Sequence, residues 1–291
     1  ELYDFSINDK YLIDYVYDDN NKSIVDNLYK MYLNQTLISQ IYQIDTQTIK
    51  NRRDYVNFIS NMTNTLLHFY EENLSFVEKK LHSRNNYVNN SLKLILIEVF
   101  NDLINNDNYK QLNVEKNKWF MILIKHIDLY INSNREVLLK NIDTTNIALA
   151  VKILDGLSEQ KFEEFVAEYN SLLNKRLMSN NGTNIELERA VVKLMDTNMN
   201  NNHGRNREAV IRMGLRINDY MHSKRSNEKF VEAQLLTDAT SDVKVLNQFL
   251  WNDLVDNENH RLSNITIPGP LLNYISKFEL FYEKTFSERN I

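Results

Sequence analysis

The densest group of chemically capable side chains lies between His203 and Lys229. Arg205, Arg207, Arg212, Arg216, Lys224, Arg225 and Lys229 stand there against Glu208, Asp219 and Glu228, a local charge of +4 in a chain of formal net charge −5. Guanidinium groups present a planar fork of donors that matches phosphate and carboxylate. The chemistry this pattern offers is therefore capture of an acidic peptide or a phosphate-bearing ligand. Wound at about 100° per residue, Arg205, Arg212 and Arg216 fall within about 40° of one another, opposite Val210, Ile217 and Met221. The expected binding set is Arg205, Arg207, Arg212, Arg216, Lys224 and Arg225. Nucleic acid is the less favoured ligand, because the rest of the chain is acidic and charges are screened beyond about 8 Å in physiological salt. A plainer alternative uses the same residues. Glu208 precedes Arg212 by four positions and Asp219 follows Arg216 by three, so the stripe could be a solvated helix face with ordinary surface pairs, each worth about 0.2–0.5 kcal/mol.

Other chemistry finds less support. Asp196, Asn198, Asn200 and Asn202 alternate like the first ligands of a calcium loop, but Asn201 occupies the position that needs glycine and Arg207 the position that needs a bidentate glutamate. None of the six histidines (His68, His82, His126, His203, His222, His260) has another histidine three or four residues on, so no helical metal pair exists. The chain has no cysteine, which removes thiol nucleophiles, thiolate metal sites and disulfides. Phosphate loops, dinucleotide fingerprints and nucleophile elbows are all missing. The expectation is a protein with no catalytic residue, no metal and no cofactor. Its several Asn-x-Ser/Thr triplets, at Asn34, Asn61, Asn73 and Asn181 among others, are what an asparagine-rich chain carries by chance.

The elements that must position these residues are helices. Only 5 glycines and 2 prolines occur in 291 residues, far below the usual share of roughly 7% and 5%. Hairpins and parallel α/β crossovers depend on glycine for positive φ, so an all-α chain is expected. Phe162, Phe165, Val166, Tyr169, Leu172, Leu173 and Leu177 follow at helical spacing after Ser158, a plausible N-cap. Thr183 with Glu186 reads as a capping box opening the next helix. Tyr55, Ile59, Met62, Leu66 and Phe69 continue through Phe76, Val77 and Leu81, giving either one helix of about 35 residues, against a mean of ~11–12, or two helices broken at Glu72-Asn73.

Two segments, 92–104 and 119–131, are apolar almost all round, which places such helices in the middle of a core. His126, inside the second, is expected to be a hydrogen-bonded core residue. Ile95, Phe100, Ile124 and Ile127 are the expected core. The two segments align at an offset of 27, which is short for a helical-hairpin repeat and reflects shared burial. Asn264 to Pro270 has the look of a true linker.

About a dozen helices joined by short loops point to an irregular α-solenoid of the HEAT or armadillo kind, or else to an elongated helical bundle. The chain is expected to form a single elongated domain over 1–291, with any subdivision falling at 179–183 and a final helix at 271–289 after a linker at 256–270. No apolar run reaches the ~18 residues needed to span a bilayer. A chain beginning at Glu1 is expected to be part of a longer protein. With sixteen tyrosines, six of them before residue 33, and no sign of an oxidising compartment, the expected role is a non-enzymatic scaffold or adaptor. It would bind other proteins in the cytoplasm or nucleus of a eukaryotic cell. A polyanion-binding module using residues 205–229 is the alternative.

Overall fold

A computed structural model describes residues 22–45, 50–80, 86–105, 119–179, 182–198, 204–233, 243–251 and 268–286. The tyrosines at 3, 11, 15 and 17, the segment 199–203 and most of the 256–270 linker lie outside the described residues, as do the side chains of Arg205 and Arg207. Nine α-helices occur among the described residues, and no strand: α1 (Lys22–Asp45), α2 (Arg52–Ser75), α3 (Asn86–Asn105), α4 (Trp119–Ser133), α5 (Thr145–Leu154), α6 (Glu159–Met178), α7 (Ile185–Asn198), α8 (Gly204–Glu232) and α9 (Gly269–Thr285). The protein is all-α, as the scarcity of breakers requires. None of these helices is long and apolar enough to cross a membrane.

The chain divides into two compact units, Glu1–Arg207 and Glu208–Ile291, with the division falling in the first turn of α8. The 179–183 stretch lies inside the first unit.

In the first unit each helix packs chiefly on the next-but-one and the next: α1 on α3 and α2, α2 on α4, α4 on α6 and α5, α5 on α7. The core follows from helical spacing. Val25, Tyr29, Leu33, Leu37 and Ile41 line one side of α1, and Ile95, Leu96, Val99, Phe100, Leu103 and Ile104 line α3. Phe100 meets the edge of Tyr70 with ring centres 4.9 Å apart. The α4 segment is buried at Trp119, Phe120, Ile122, Leu123, Ile124, His126, Ile127 and Ile131, so its all-round apolar character does mark a central helix. The α3 segment differs. Leu94 is 66% exposed, so this helix keeps one side open to water despite its composition.

Helix α2 runs unbroken through Glu72-Asn73 to Ser75 and continues as a π-helical turn, Phe76–Lys80. Asn73 is buried and its Nδ2 donates to the Phe69 carbonyl at 2.8 Å, so a residue that reads as a breaker stays within the helix by bonding back one turn. Ser158 does precede α6, but its side chain makes no cap bond; instead its N–H donates to Asn105 Oδ1 at 2.7 Å. Asn105 Nδ2 also donates to the Gly156 carbonyl at 2.7 Å. A Cβ at Gly156 would lie 1.7 Å from Asn101 Oδ1, so a larger residue there would have to displace the Asn101 side chain. The cap of α7 is Asn184 rather than Thr183: its Oδ1 accepts the Leu187 N–H at 3.1 Å, and its Nδ2 donates to the carbonyls of Asn134 and Val137.

The second unit packs α8, α9 and the segment 243–251 around Phe230, Tyr274, Phe278 and Tyr282, with Val243, Val245, Phe281 and Phe286 against them. Phe230 holds Phe278 edge-on at 5.0 Å between ring centres. Helix α9 starts at Gly269 with Pro268 as its cap, two residues earlier than its apolar spacing indicates.

Candidate functional site

Helix α8 carries all the basic residues singled out by the sequence. Its buried positions are Val210, Met213, Arg216, Ile217, Tyr220, Ser223, Ser226 and Phe230. The spacing is the ordinary 3–4 of a packed helix, but three members are polar. Arg216 and Ser223 bond the segment 243–251, which runs along α8 in the opposite direction, while Ser226 Oγ donates back to the His222 carbonyl. The Val243 N–H donates to Asn227 Oδ1 at 3.2 Å, the Val245 N–H to Ser223 Oγ at 2.7 Å and the Asn247 N–H to Asp219 Oδ2 at 2.8 Å. Four residues of helix rise about 6.0 Å and two residues of extended chain about 6.6 Å, so side chains at 219, 223 and 227 are in step with every second amide of the strap. Backbone donors that a sheet would satisfy are satisfied here by a column of side chains.

The ladder ends on an aromatic anchor. Trp251 is buried, its Nε1 donates to Asp219 Oδ2 at 2.9 Å, and the Arg216 guanidinium lies over its ring at 5.6 Å. Arg216 Nε donates to the Leu250 carbonyl at 2.7 Å. The expectation that Arg216 points into solvent with Arg212 is thus overturned: Arg216 is only 7% exposed. The error has a physical cause. A helical wheel assigns polar residues to water, whereas this helix turns its polar column toward a non-helical strap whose amides need acceptors.

Among the described side chains the remaining basic residues do not gather. Arg212 is exposed and pairs with Glu208 at 2.8 Å, the surface pair anticipated from their spacing. Lys224 and Arg225 are exposed, but they lie about 120° and 140° around the helix from Arg212, on opposite sides. Arg205 and Arg207 fall in the first turn, where side chains are outside the description.

Beside the strap is a cleft of about 650 Å³ whose lining includes Leu215, Asp219, His222, Ser223, Leu246 and Leu250. A serine, a histidine and an aspartate in one cleft invite comparison with a nucleophile–base–carboxylate relay. The bonding does not follow that pattern. Asp219 Oδ2 serves Asn247 and Trp251, Ser223 Oγ accepts from Val245, and Ser226 Oγ donates to the His222 carbonyl. Asp219 and Ser223 hold the strap, and Ser226 bonds back within α8. Among the described residues no group of three or more His, Cys, Asp and Glu could hold a metal ion.

No model of a known protein family matches the chain, and no curated protein matches it significantly.

The first unit offers a different kind of surface. On α1, Ile24, Leu28 and Met31 are exposed at i, i+4 and i+7, while Val25, Tyr29, Leu33, Leu37 and Ile41 on the other side are buried. Asn27 and Gln35 are exposed on the same outward face and Ile38 is half-buried there, so the stripe carries no charge. Sequence reasoning missed it, because a helix with two apolar faces has no clear apolar stripe to read.

Polar groups buried in this unit serve structure. Arg176 Nε and Nη2 donate to the two Glu188 oxygens at 2.6 and 3.0 Å, Nη1 donates to Asp128, and Thr183 Oγ1 donates to Glu188 Oε1. Burial alone would lower the guanidinium's pKa. The bonds to Glu188 and the adjoining charges outweigh it, and the net shift is upward. His126 is buried and its pKa is lowered by loss of solvation. Its Nε2 has no hydrogen-bond partner among the described residues, unlike the satisfied core histidine expected at this position.

Proposed function

We propose that the chain is a non-enzymatic protein–protein interaction module, a scaffold or adaptor, whose first unit is an irregular α-solenoid. The next-but-one packing of α1 to α7 supports the solenoid, since stacked helix pairs meet in this order. The observation that carries the interaction reading is the uncharged outer stripe of α1. Leaving Ile24, Leu28 and Met31 in water forgoes about 25 cal/mol for each Å² of apolar surface they expose. Exposed apolar surface grouped on one face, and free of charge, has the composition of an interface core. Methionine adds a side chain that adapts to a partner's contour.

The test is a photo-crosslinking amino acid at Met31, compared with the double variant Leu28→Glu/Met31→Glu. The expected outcome is a discrete crosslinked protein partner, lost in the double variant, with helical content and melting temperature nearly unchanged because both side chains are exposed. Crosslinking only to water or to many proteins indiscriminately, or equal capture by the double variant, overturns the reading.

A further inference from the structure

The uncharged stripe of α1 runs between two acidic margins. On one side stands Tyr32, one helical turn on from Leu28. It lines a cleft of about 510 Å³ together with His68, Glu71 and Glu72 of α2 and Glu78 of the π-helical turn, so cleft and stripe adjoin. The Tyr32 ring stacks on the buried Tyr29 with ring centres 6.5 Å apart, which fixes this shared wall. Glu72 meets the His68 imidazole at 3.3 Å and Glu78 meets Lys93 at 2.5 Å. Three carboxylates thus stand in the cleft against one lysine and one imidazole. On the other side α1 meets α3. Lys30 bonds Glu98 at 2.5 Å and lies 3.8 Å from Asp102, and Ser91 Oγ donates to Asp26 at 3.2 Å. This margin also holds more acid than base.

Apolar side chains at i, i+4 and i+7 are spaced to receive the matching face of another helix. Bordered by carboxylates, they fit by charge complementarity a helix whose own apolar face is bordered by lysine and arginine. Such a side chain can lay its aliphatic stem along Tyr32 and place its charge among Glu71, Glu72 and Glu78. An acidic partner would set like charges together on both margins, and anionic headgroups would meet the same repulsion. A second copy of the chain would bring the same acidic margins with it. We propose that the partner of α1 is a basic amphipathic helix seated on Ile24, Leu28 and Met31, a step that rests on the interaction reading of that helix. Its cationic side chains face Glu71, Glu72 and Glu78 on one margin and Glu98 and Asp102 on the other.

The experiment is fluorescence anisotropy of the full chain with two labelled helical peptides of about 20 residues. They share one leucine stripe and differ only in its flanks, which are lysine in one and glutamate in the other. The lysine peptide should bind about tenfold or more tightly than the glutamate peptide, the difference shrinking as salt rises. Glu71→Lys/Glu72→Lys should weaken the lysine peptide by about tenfold or more, and Leu28→Ser/Met31→Ser should weaken it likewise. Both pairs change only exposed side chains, so circular dichroism should match wild type. Glu279→Lys/Glu283→Lys makes the same change of net charge at exposed positions of α9 and should leave binding unchanged. That control separates docking on α1 from indiscriminate attraction to an acidic chain. Equal affinity for the two peptides, binding of neither, or equal weakening by the two reversal pairs overturns the proposal. In each of those cases a discrete Met31 crosslink, lost in Leu28→Glu/Met31→Glu, would still uphold the interaction reading, and its absence would overturn that reading as well.

Discussion

Two arginines in this molecule are buried to nearly the same degree, Arg176 in the first unit at 3% exposure and Arg216 in the second at 7%, and they tie together different kinds of structure. Arg176 is neutralised by full charges: Glu188, itself entirely buried, takes two of its donors and Asp128 a third. Arg216 faces a backbone carbonyl dipole and the quadrupole of an indole ring. The first arrangement joins three helices through a charge network whose members cannot be removed singly. The second fastens a non-helical strap to α8. A third buried base, His126, has neither device at Nε2 and lies with its pKa lowered by burial.

The largest effect is expected at the first arginine. Arg176→Met strands the Glu188 carboxylate in the core and should lower unfolding stability by about 3–5 kcal/mol in urea titration. Adding Glu188→Leu should recover a good part of that loss, because a pair of apolar residues has no charge to compensate. If the single and double variants are equally destabilised, the ion pair is not what sets the cost. Arg216→Met should cost about 1–3 kcal/mol for the Leu250 carbonyl it leaves unsatisfied, with loss of the stacking on Trp251, and a loss below about half a kcal/mol would mean that Arg216 does not hold the strap. The same scale has a purely apolar reference point: Ile124→Ala, in the centre of α4, should cost about 2–5 kcal/mol by leaving a cavity.

The histidine gives a pH signature. Burial depresses the folded pKa of His126 below the ordinary 6.5, so the unfolded chain takes up this proton first as the solution is acidified. The stability contributed by keeping the ring neutral is complete above about 6.5 and is lost as pH falls below it toward the folded value. Stability measured from pH 7.5 down to 5 should fall more steeply for wild type than for His126→Leu, which has nothing to protonate there. Parallel curves would mean that His126 is solvated. The smallest effect is expected at Arg212→Glu. That side chain is exposed and paired only with Glu208, so the change should stay within about half a kcal/mol.

The sequence carried most of the helices and little of the site. Rare glycine and proline, together with 3–4 spacing, locate α6 and α7 to within a residue or two. Ile95, Phe100, Ile124 and Ile127 are buried where their period puts them. Leu94 and Arg216 show where such reasoning stops. Leu94 looks like the middle of a core because its neighbours are all apolar, but whether a helix side is covered depends on elements far away in the chain. Arg216 looks like surface because it is charged, and its partners stand at Leu250 and Trp251, more than thirty residues on. The strap itself has no regular period: its amides are satisfied one by one by Asn227, Ser223 and Asp219, a pattern that exists only once the two segments lie side by side. Charge counting singled out α8 and assigned Arg216 to water, whereas that side chain is buried and bonded to the Leu250 carbonyl.

The polar column of α8 is occupied in holding 243–251, and Phe249 stands out in solvent from that segment. Residue-resolved amide hydrogen exchange tests it most directly. The amides of Val243, Val245 and Asn247 should be protected, with Ser223→Ala releasing Val245 first and Asn227→Ala releasing Val243 first, while α8 itself stays protected. Exchange at all three amides as fast as in an unstructured peptide in the wild-type chain would contradict it.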